Sequence, residues 1–293
     1  ANFNKNNNFK IIIINKKIYD LHIKQCFNYV MSKQYLIRLD GKSRKYHEYA
    51  DEITKQGNYS VEYMNFKLKG WMTRTVVNAV GWQSKQYYSL LKKHYKNNLQ
   101  NNIDYLKNLC DKDDAIGKPP KENHEMLGNI GGNNIEYIFE SFQIIEHFKK
   151  LNLNDINIIE IGGGYGGLAF YLINICKKFN INISSYTIFD IPEANMLQTK
   201  YFNEVKINAK STHLDDNYNI YNNSFLISNY CFGEIEEHYQ KKYNDKIFEY
   251  VNHGFICWNV SPFNFHLIDN IKFENDIVID GQDYRNNDLI IKF

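Results

Sequence analysis

Between Ile158 and Gly167 the chain reads Ile158-Ile159-Glu160-Ile161-Gly162-Gly163-Gly164-Tyr165-Gly166-Gly167. An apolar run carrying one carboxylate is followed by five glycines in six positions. Glycine lets the backbone turn sharply and lets a ligand approach with no Cβ in the way. Leu168, Tyr171, Leu172, Ile175 and Phe179 then recur at helical spacing, and the start of a helix offers free N–H groups. Strand, glycine loop and helix in this order make a nucleotide-binding turn. Gly162, Gly164 and Gly167 satisfy G-x-G-x-x-G, a dinucleotide fingerprint that admits NAD. Glu160 argues the other way. A carboxylate two residues before the first glycine repels a pyrophosphate and favours a cofactor that carries an ammonium and a sulfonium. The expected cofactor is therefore S-adenosyl-L-methionine, with NAD as the alternative and a strand-end salt bridge as the plain structural reading of Glu160.

Asp190 ends the next strand, where a carboxylate can accept hydrogen bonds from both ribose hydroxyls. It also stands before Pro192, a suitable first residue for a helix, so N-capping is an equal reading. Asn229 and Tyr230 end a strong strand over Ser224–Asn229 and are expected at the same edge. Thr212 and the His213-Leu214-Asp215-Asp216 segment close a weaker strand where the adenine is expected. Those side chains could hold a divalent ion, but a solvated loop with adenine contacts is the favoured reading and no metal is expected. The expected cofactor contacts are Glu160, Gly162, Gly164, Tyr165, Asp190, Ile191, Thr212, Asn229 and Tyr230.

The elements that must position these residues alternate from Asn157 onward. Strands are expected at Asn157–Ile161, Ser184–Phe189, Val205–Ser211, Ser224–Asn229 and Gly254–Val260, with helices at Leu168–Phe179, Ala194–Tyr201 and Ile235–Val251. Ile277–Asp280 and Leu289–Phe293 finish the chain as an antiparallel pair. Such alternation implies a Rossmann-like α/β fold, a mainly parallel sheet covered on both faces. Ligands bind there beyond the carboxyl ends of the strands. A helix follows Asn133 or Asn134, either of which can cap it, with Ile135, Ile138, Phe139, Phe142, Ile145 and Phe148 on its buried side. Earlier helices are expected near Ile18–Met31, Tyr46–Thr54, Ser84–Tyr95 and Asn102–Cys110, and Tyr59–Phe66 reads as strand or loop. Gly117-Lys118-Pro119-Pro120 and Gly128, Gly131 and Gly132 break the pattern. The expected division is residues 1–132, a mainly helical cap on the substrate side, and 133–293, the cofactor-binding half.

Bulk properties bound the rest. Of 293 residues 43% are hydrophobic, enough for a sizeable core, and 15% are aromatic. Frequent Asn, Lys, Ile, Tyr and Phe fit an AT-rich genome, such as that of a large DNA virus or an AT-rich microbe. A net charge of +2 gives no broad positive field, so no nucleic-acid partner is expected. Five cysteines without a C-x-x-C pair fit a reducing, cytoplasmic setting. No apolar run is long enough to span a bilayer, and no membrane partner is expected.

The combination of Glu160-Ile161-Gly162-Gly163-Gly164-Tyr165-Gly166-Gly167 with Phe189-Asp190-Ile191-Pro192-Glu193 and Ser228-Asn229-Tyr230-Cys231-Phe232-Gly233-Glu234-Ile235 resembles the sugar O-methyltransferases among class I methyltransferases. The resemblance covers roughly residues 114–260, including Ile116-Gly117-Lys118-Pro119. It implies a class I methyltransferase sheet and methyl transfer to the hydroxyl of a sugar or nucleotide sugar. Where that family often has Ser before the glutamate, this chain has Gly233. Glu234, at the family's glutamate, is the first choice for acceptor binding or proton removal, and charge stabilisation at a helix start is its structural alternative. His266, after the Gly254–Val260 strand, is the second choice. His253 and His147 lie away from the ligand edge. Asn229-Tyr230-Cys231 departs from the Pro-Pro-Tyr turn of adenine-N6 methyltransferases. Trp71, Trp82 and Trp258 read as packing residues, with sugar stacking as the alternative for the first two.

Overall fold

A computed structural model describes residues 44–68, 82–233, 235–258, 278–280 and 289–293. In chain order these form helix α1 (Arg44–Asn58), α2 (Trp82–Asn101) and α3 (Ile103–Asp114). A hairpin follows, β1 (Lys121–His124) and β2 (Gly128–Gly131), then α4 (Gly132–Lys150). The alternating part comprises β3 (Ile156–Ile161), α5 (Gly167–Lys178), β4 (Ile183–Phe189), α6 (Pro192–Val205) and β5 (Lys210–Thr212). It continues through β6 (Ser224–Asn229), α7 (Glu237–Lys246), β7 (Val251–Trp258), β8 (Val278–Asp280) and β9 (Leu289–Lys292).

The seven-stranded sheet has the order β5-β4-β3-β6-β7-β9-β8. The pairs from β5 to β7 are parallel, and β9 is antiparallel to both neighbours. The chain winds outward from β3 in one direction and from β6 in the other. This doubly wound, Rossmann-like topology opens its crevice between β3 and β6, beyond their carboxyl ends. Successive β3 residues serve opposite faces. Ile156 and Ile158 join the core formed with α4, α5 and α6, while Ile159 and Ile161 join a second core with Phe232, Ile247 and Phe248. Burial on both faces is why isoleucine fills four of its six positions.

The elements before α4 share the first core. Ile53, Phe66, Tyr87 and Leu91 are buried in it with Phe139 and Tyr165. Tyr95 stacks on Phe139 and Phe142 of α4, with ring centroids 5.8 and 5.3 Å away, and its hydroxyl donates to Glu146. Lys200 of α6 donates to the Gly57 carbonyl at the end of α1.

Several expectations shift. The β1–β2 hairpin lies in the glycine- and proline-rich stretch that reads as punctuation. Its strands are four residues long and carry no alternating apolar pattern. Neither Asn133 nor Asn134 caps α4, whose N-cap position is Gly131. Asp114, at the end of α3, does that work instead. Its carboxylate accepts the Gly131 N–H at 3.0 Å and the Asn134 amide at 2.8 Å, placing negative charge at the positive end of the helix. Helix α6 runs on through Val205, so the weak third strand begins only at Lys210. The helix expected over Ile235–Val251 is shorter, because a 3₁₀ turn at Phe248–Tyr250 leads straight into β7. Tyr59–Phe66 is a turn region with a short 3₁₀ segment at Val61–Tyr63. The helix expected at Ile18–Met31 and Trp71 fall outside the described residues.

Candidate functional site: the glycine loop and its surroundings

The carboxyl end of β3 opens into the glycine loop. Gly162, Gly164 and Gly166 have φ of +73°, +56° and +96°, the left-handed region in which side chains are strained. Space is short as well, since a Cβ on Gly162 would stand 2.1 Å from Cys231 Sγ. The loop therefore passes directly against the segment after β6, across the crevice. The Gly162 N–H donates to the Phe189 carbonyl at 2.9 Å, continuing the sheet by one bond.

Asp190 follows Phe189 and ties this edge together. Oδ2 accepts the Gly163 N–H at 3.0 Å and the Gln198 amide at 2.8 Å, and Oδ1 accepts the Ile191 N–H at 2.8 Å. The Gln198 amide also reaches the Gly164 carbonyl at 2.9 Å. The N-cap position of α6 belongs to Ile191, so Asp190 serves the loop more than the helix. Burial raises the Asp190 carboxyl to about 6, against the opposing pull of its three donors. Its own N–H donates to the Thr212 carbonyl, which brings Thr212 to the same edge. Thr212 Oγ1 meets Asp216 at 3.2 Å, and Asp216 also accepts the His213 N–H.

Glu160 lies beneath the loop. It is 1% exposed and accepts a hydrogen bond from the Tyr186 hydroxyl at 2.9 Å. A Cβ on Gly163 would stand 3.3 Å from Glu160 Oε2. Burial raises this carboxyl to about 8, with the Tyr186 bond opposing and the nearby Asp190 charge adding to the rise. No basic residue pairs with Glu160 among the described residues, so the salt-bridge reading is not what the site contains.

Tyr165 turns its ring away from the loop. It is fully buried, and its hydroxyl donates to Asp113 at 3.1 Å. Tyr201 donates to the same carboxylate at 2.6 Å, and Lys67 Nζ to the other oxygen at 2.8 Å. Lys67 Nζ also stands 4.5 Å from the Tyr165 ring centre. What Tyr165 leaves at the loop is its backbone. This buried cluster joins residues 67, 113, 165 and 201 from four separate elements, and sequence spacing carries no signal of it.

After β6, Asn229 donates to Glu140 of α4 at 2.9 Å, and its Oδ1 is buried without a hydrogen-bond partner among the described residues. Tyr230 takes φ +60°, and its hydroxyl stands 3.1 Å from that of Tyr87 on α2. The structure thus brings Glu160, Gly162, Gly164, Asp190, Ile191, Thr212, Asn229 and Tyr230 to one edge of the sheet. Glu234 and His266 lie outside the described residues. His253 sits near the amino end of β7, and His147 bonds the Phe293 carbonyl far from the crevice. No group of His, Cys, Asp or Glu among the described residues could hold a metal ion. No described helix is long and apolar enough to cross a membrane.

No protein-family model matches the chain, and no curated protein matches it in sequence. Solved structures resemble it in part. A candidate RNA methyltransferase from Pyrococcus horikoshii shares 15% identity over 55% of this chain and 83% of its own, with a TM-score of 0.38. A candidate S-adenosyl-L-methionine-dependent methyltransferase from Methanococcus maripaludis shares 15% over 54% and 84%, with a TM-score of 0.41. The CMeT domain structure of a citrinin polyketide synthase shares 11% over 55% of this chain and 52% of its own, with a TM-score of 0.42. Likeness at this level concerns the course of the chain alone.

Proposed function

We propose that the chain is an S-adenosyl-L-methionine-dependent methyltransferase acting on the hydroxyl of a sugar, carried on a nucleotide or a glycan. The observation that carries the cofactor reading is the buried Glu160 carboxyl beneath the glycine loop. Burial holds its proton, and a cationic ligand would draw that proton off and meet the resulting charge, whereas a pyrophosphate would oppose it. The residues present fit the group. Gly162 and Gly163 keep the loop backbone bare, since a Cβ on either would strike Cys231 or Ile188, Asp190 would accept the ribose hydroxyls, and Thr212 would border the adenine. Asn229 Oδ1 offers an acceptor towards the methionine end.

When bound, the cofactor supplies an activated methyl group on a sulfonium. The chain's own residues then have two tasks. They hold the acceptor oxygen in line with the methyl carbon, and they receive the acceptor's proton. Alignment turns a bimolecular encounter into an intramolecular one, and a placed base adds about 10²–10⁴-fold. In this reading residues 133–293 carry the cofactor, and the elements before Gly132 close over the acceptor. Tyr87 on Tyr230 supports that arrangement, because it joins the earlier elements to the carboxyl edge. The choice of a sugar rests on the sequence resemblance alone.

Titration calorimetry with S-adenosylhomocysteine and with NAD tests the cofactor. Binding of the first without the second is expected, and the reverse result supports an oxidoreductase. Transfer of a labelled methyl group across nucleotide sugars, with RNA as a comparison acceptor, tests the substrate class. Label on RNA and on no sugar overturns the sugar reading.

A further inference from the structure

Helix α2 presents two faces to the molecule. Tyr87, Leu91, Tyr95 and Leu99 face the core. Ser84, Tyr88 and Lys92, each four residues apart, face the hairpin. Lys92 donates to Glu125 at 2.6 Å, Tyr88 accepts the Met126 N–H at 2.9 Å, and Ser84 Oγ stands 3.1 Å from His124 Nε2. The Tyr88 ring packs on the imidazole at 4.9 Å between centres. His124 is 4% exposed and Ser84 fully buried. Two side chains of one helix, Ser84 and Tyr88, therefore fix the imidazole, and Lys92 and Tyr88 hold the residues that follow it.

Topology places this pair at the acceptor side of the crevice. Helix α4 leads through a short turn into β3 at its amino end, so its first residues lie at the carboxyl edge of the sheet. Strand β2 runs into that end of α4 at Gly131, and His124 pairs with Gly128, three residues earlier in the same strand. Helix α2 runs alongside α4 in the same direction, with Tyr87 against Phe139 and Tyr95 against Phe142. Its first turns therefore reach the same edge. Tyr87, one helical turn from Ser84, meets Tyr230 just beyond β6.

We propose that His124, oriented by Ser84, is the group that takes the proton from the methyl acceptor. This rests on the methyltransferase reading above. With the proton on Nε2 and donated to Ser84 Oγ, Nδ1 keeps its lone pair for the acceptor. The acceptor O–H proton passes to Nδ1 as an oxygen lone pair forms the O–C bond to the methyl group. The C–S bonding pair stays on sulfur, leaving neutral S-adenosylhomocysteine, and the imidazolium returns its proton to solvent. Burial lowers the His124 pKa, Glu122 opposes and Lys85 assists, which favours the neutral imidazole that can accept a proton. Ser84 is a positioning residue.

The test compares the parent protein saturated with S-adenosylhomocysteine and with sinefungin. These ligands share the nucleoside and amino-acid ends, but sinefungin carries a charged amine where the methyl group sits. NMR titration of the His124 ring, assigned by loss of its signals in His124→Gln or by through-bond correlation, reads the pKa in each complex. A charge one acceptor atom away is expected to lower it by about half a unit or more in the sinefungin complex. Ring-nitrogen shifts should place the proton on Nε2, and Ser84→Ala should alter that balance. Equal pKa values in the two complexes, or a proton resident on Nδ1, overturn the proposal while leaving the cofactor reading intact. Failure of both ligands to bind removes the methyltransferase reading itself.

Discussion

Asp190 Oδ2 accepts the backbone N–H of Gly163 at 3.0 Å, joining the ends of two neighbouring strands across twenty-seven residues of chain. The same carboxylate that would meet a ribose therefore holds the glycine loop before any ligand arrives. Asp190→Asn keeps the size but turns one oxygen into a donor facing N–H groups. S-adenosylhomocysteine affinity is expected to fall at least tenfold by calorimetry. Affinity within twofold of the parent means that Asp190 acts only on the empty loop.

Gly162 combines φ +73° with a Cβ position 2.1 Å from Cys231 Sγ. Gly162→Ala must strain the backbone and push Cys231 away, so it should lose ligand binding and about 1–3 kcal/mol of stability. Gly164→Val, at φ +56°, puts a branched side chain in the same strained region and should abolish binding. Thermal melts with and without S-adenosylhomocysteine separate the two effects.

Cys231 is half-exposed beside the loop, whereas Cys110, Cys176 and Cys257 are buried. Burial raises the Cys176 thiol to about 12, so it reacts slowly at neutral pH. Iodoacetamide should label Cys231 ahead of these three, and saturating S-adenosylhomocysteine should slow that labelling. Mass spectrometry of the labelled peptides checks it, and unchanged labelling would place the ligand elsewhere.

Glu160 gives the site a pH dependence. Its folded pKa, about 8, lies above the ordinary glutamate value of 4.5. The folded protein holds this proton where the unfolded chain has lost it. Stability from Glu160 is thus complete below pH 4.5 and is lost as the pH rises through 8. Glu160→Gln should raise the melting temperature by a few degrees at pH 8.5 and hardly at all at pH 4.5. A cationic ligand should draw the proton off, so parent affinity for S-adenosyl-L-methionine should rise from pH 6 to 8, and the variant should lose that rise. A flat parent profile falsifies this role for Glu160.

Lys67 and Asp113 form a buried ion pair at 2.8 Å, with both side chains at most 1% exposed. Burial pulls the lysine pKa down and Asp113 pulls it back. Lys67→Met leaves Asp113 buried with only two tyrosine hydroxyls, at a cost of about 3–5 kcal/mol. The double variant Lys67→Met/Asp113→Leu should recover part of that loss in denaturant unfolding. No recovery would show that the pair is replaceable only as a whole with Tyr165 and Tyr201.

The sequence by itself determined the central strands of the sheet, the glycine turn and Asp190, because each is a local matter. Apolar runs mark strands buried on both faces, glycines mark backbone that must bend, and Pro192 marks a helix start. The position of β6 was legible to the residue from Ser224 to Asn229. Other features depended on partners far along the chain. Asp114 replaced the expected asparagine cap because α3 ends against the start of α4. Tyr165 left the ligand side because Lys67, Asp113 and Tyr201 converge on its hydroxyl. The Ser84–His124 pair, forty residues apart, exists because packing lays the hairpin along α2. Periodicity and turn chemistry extend over a few residues, whereas burial of a polar group is settled by whichever distant side chains the packed fold brings within hydrogen-bond reach.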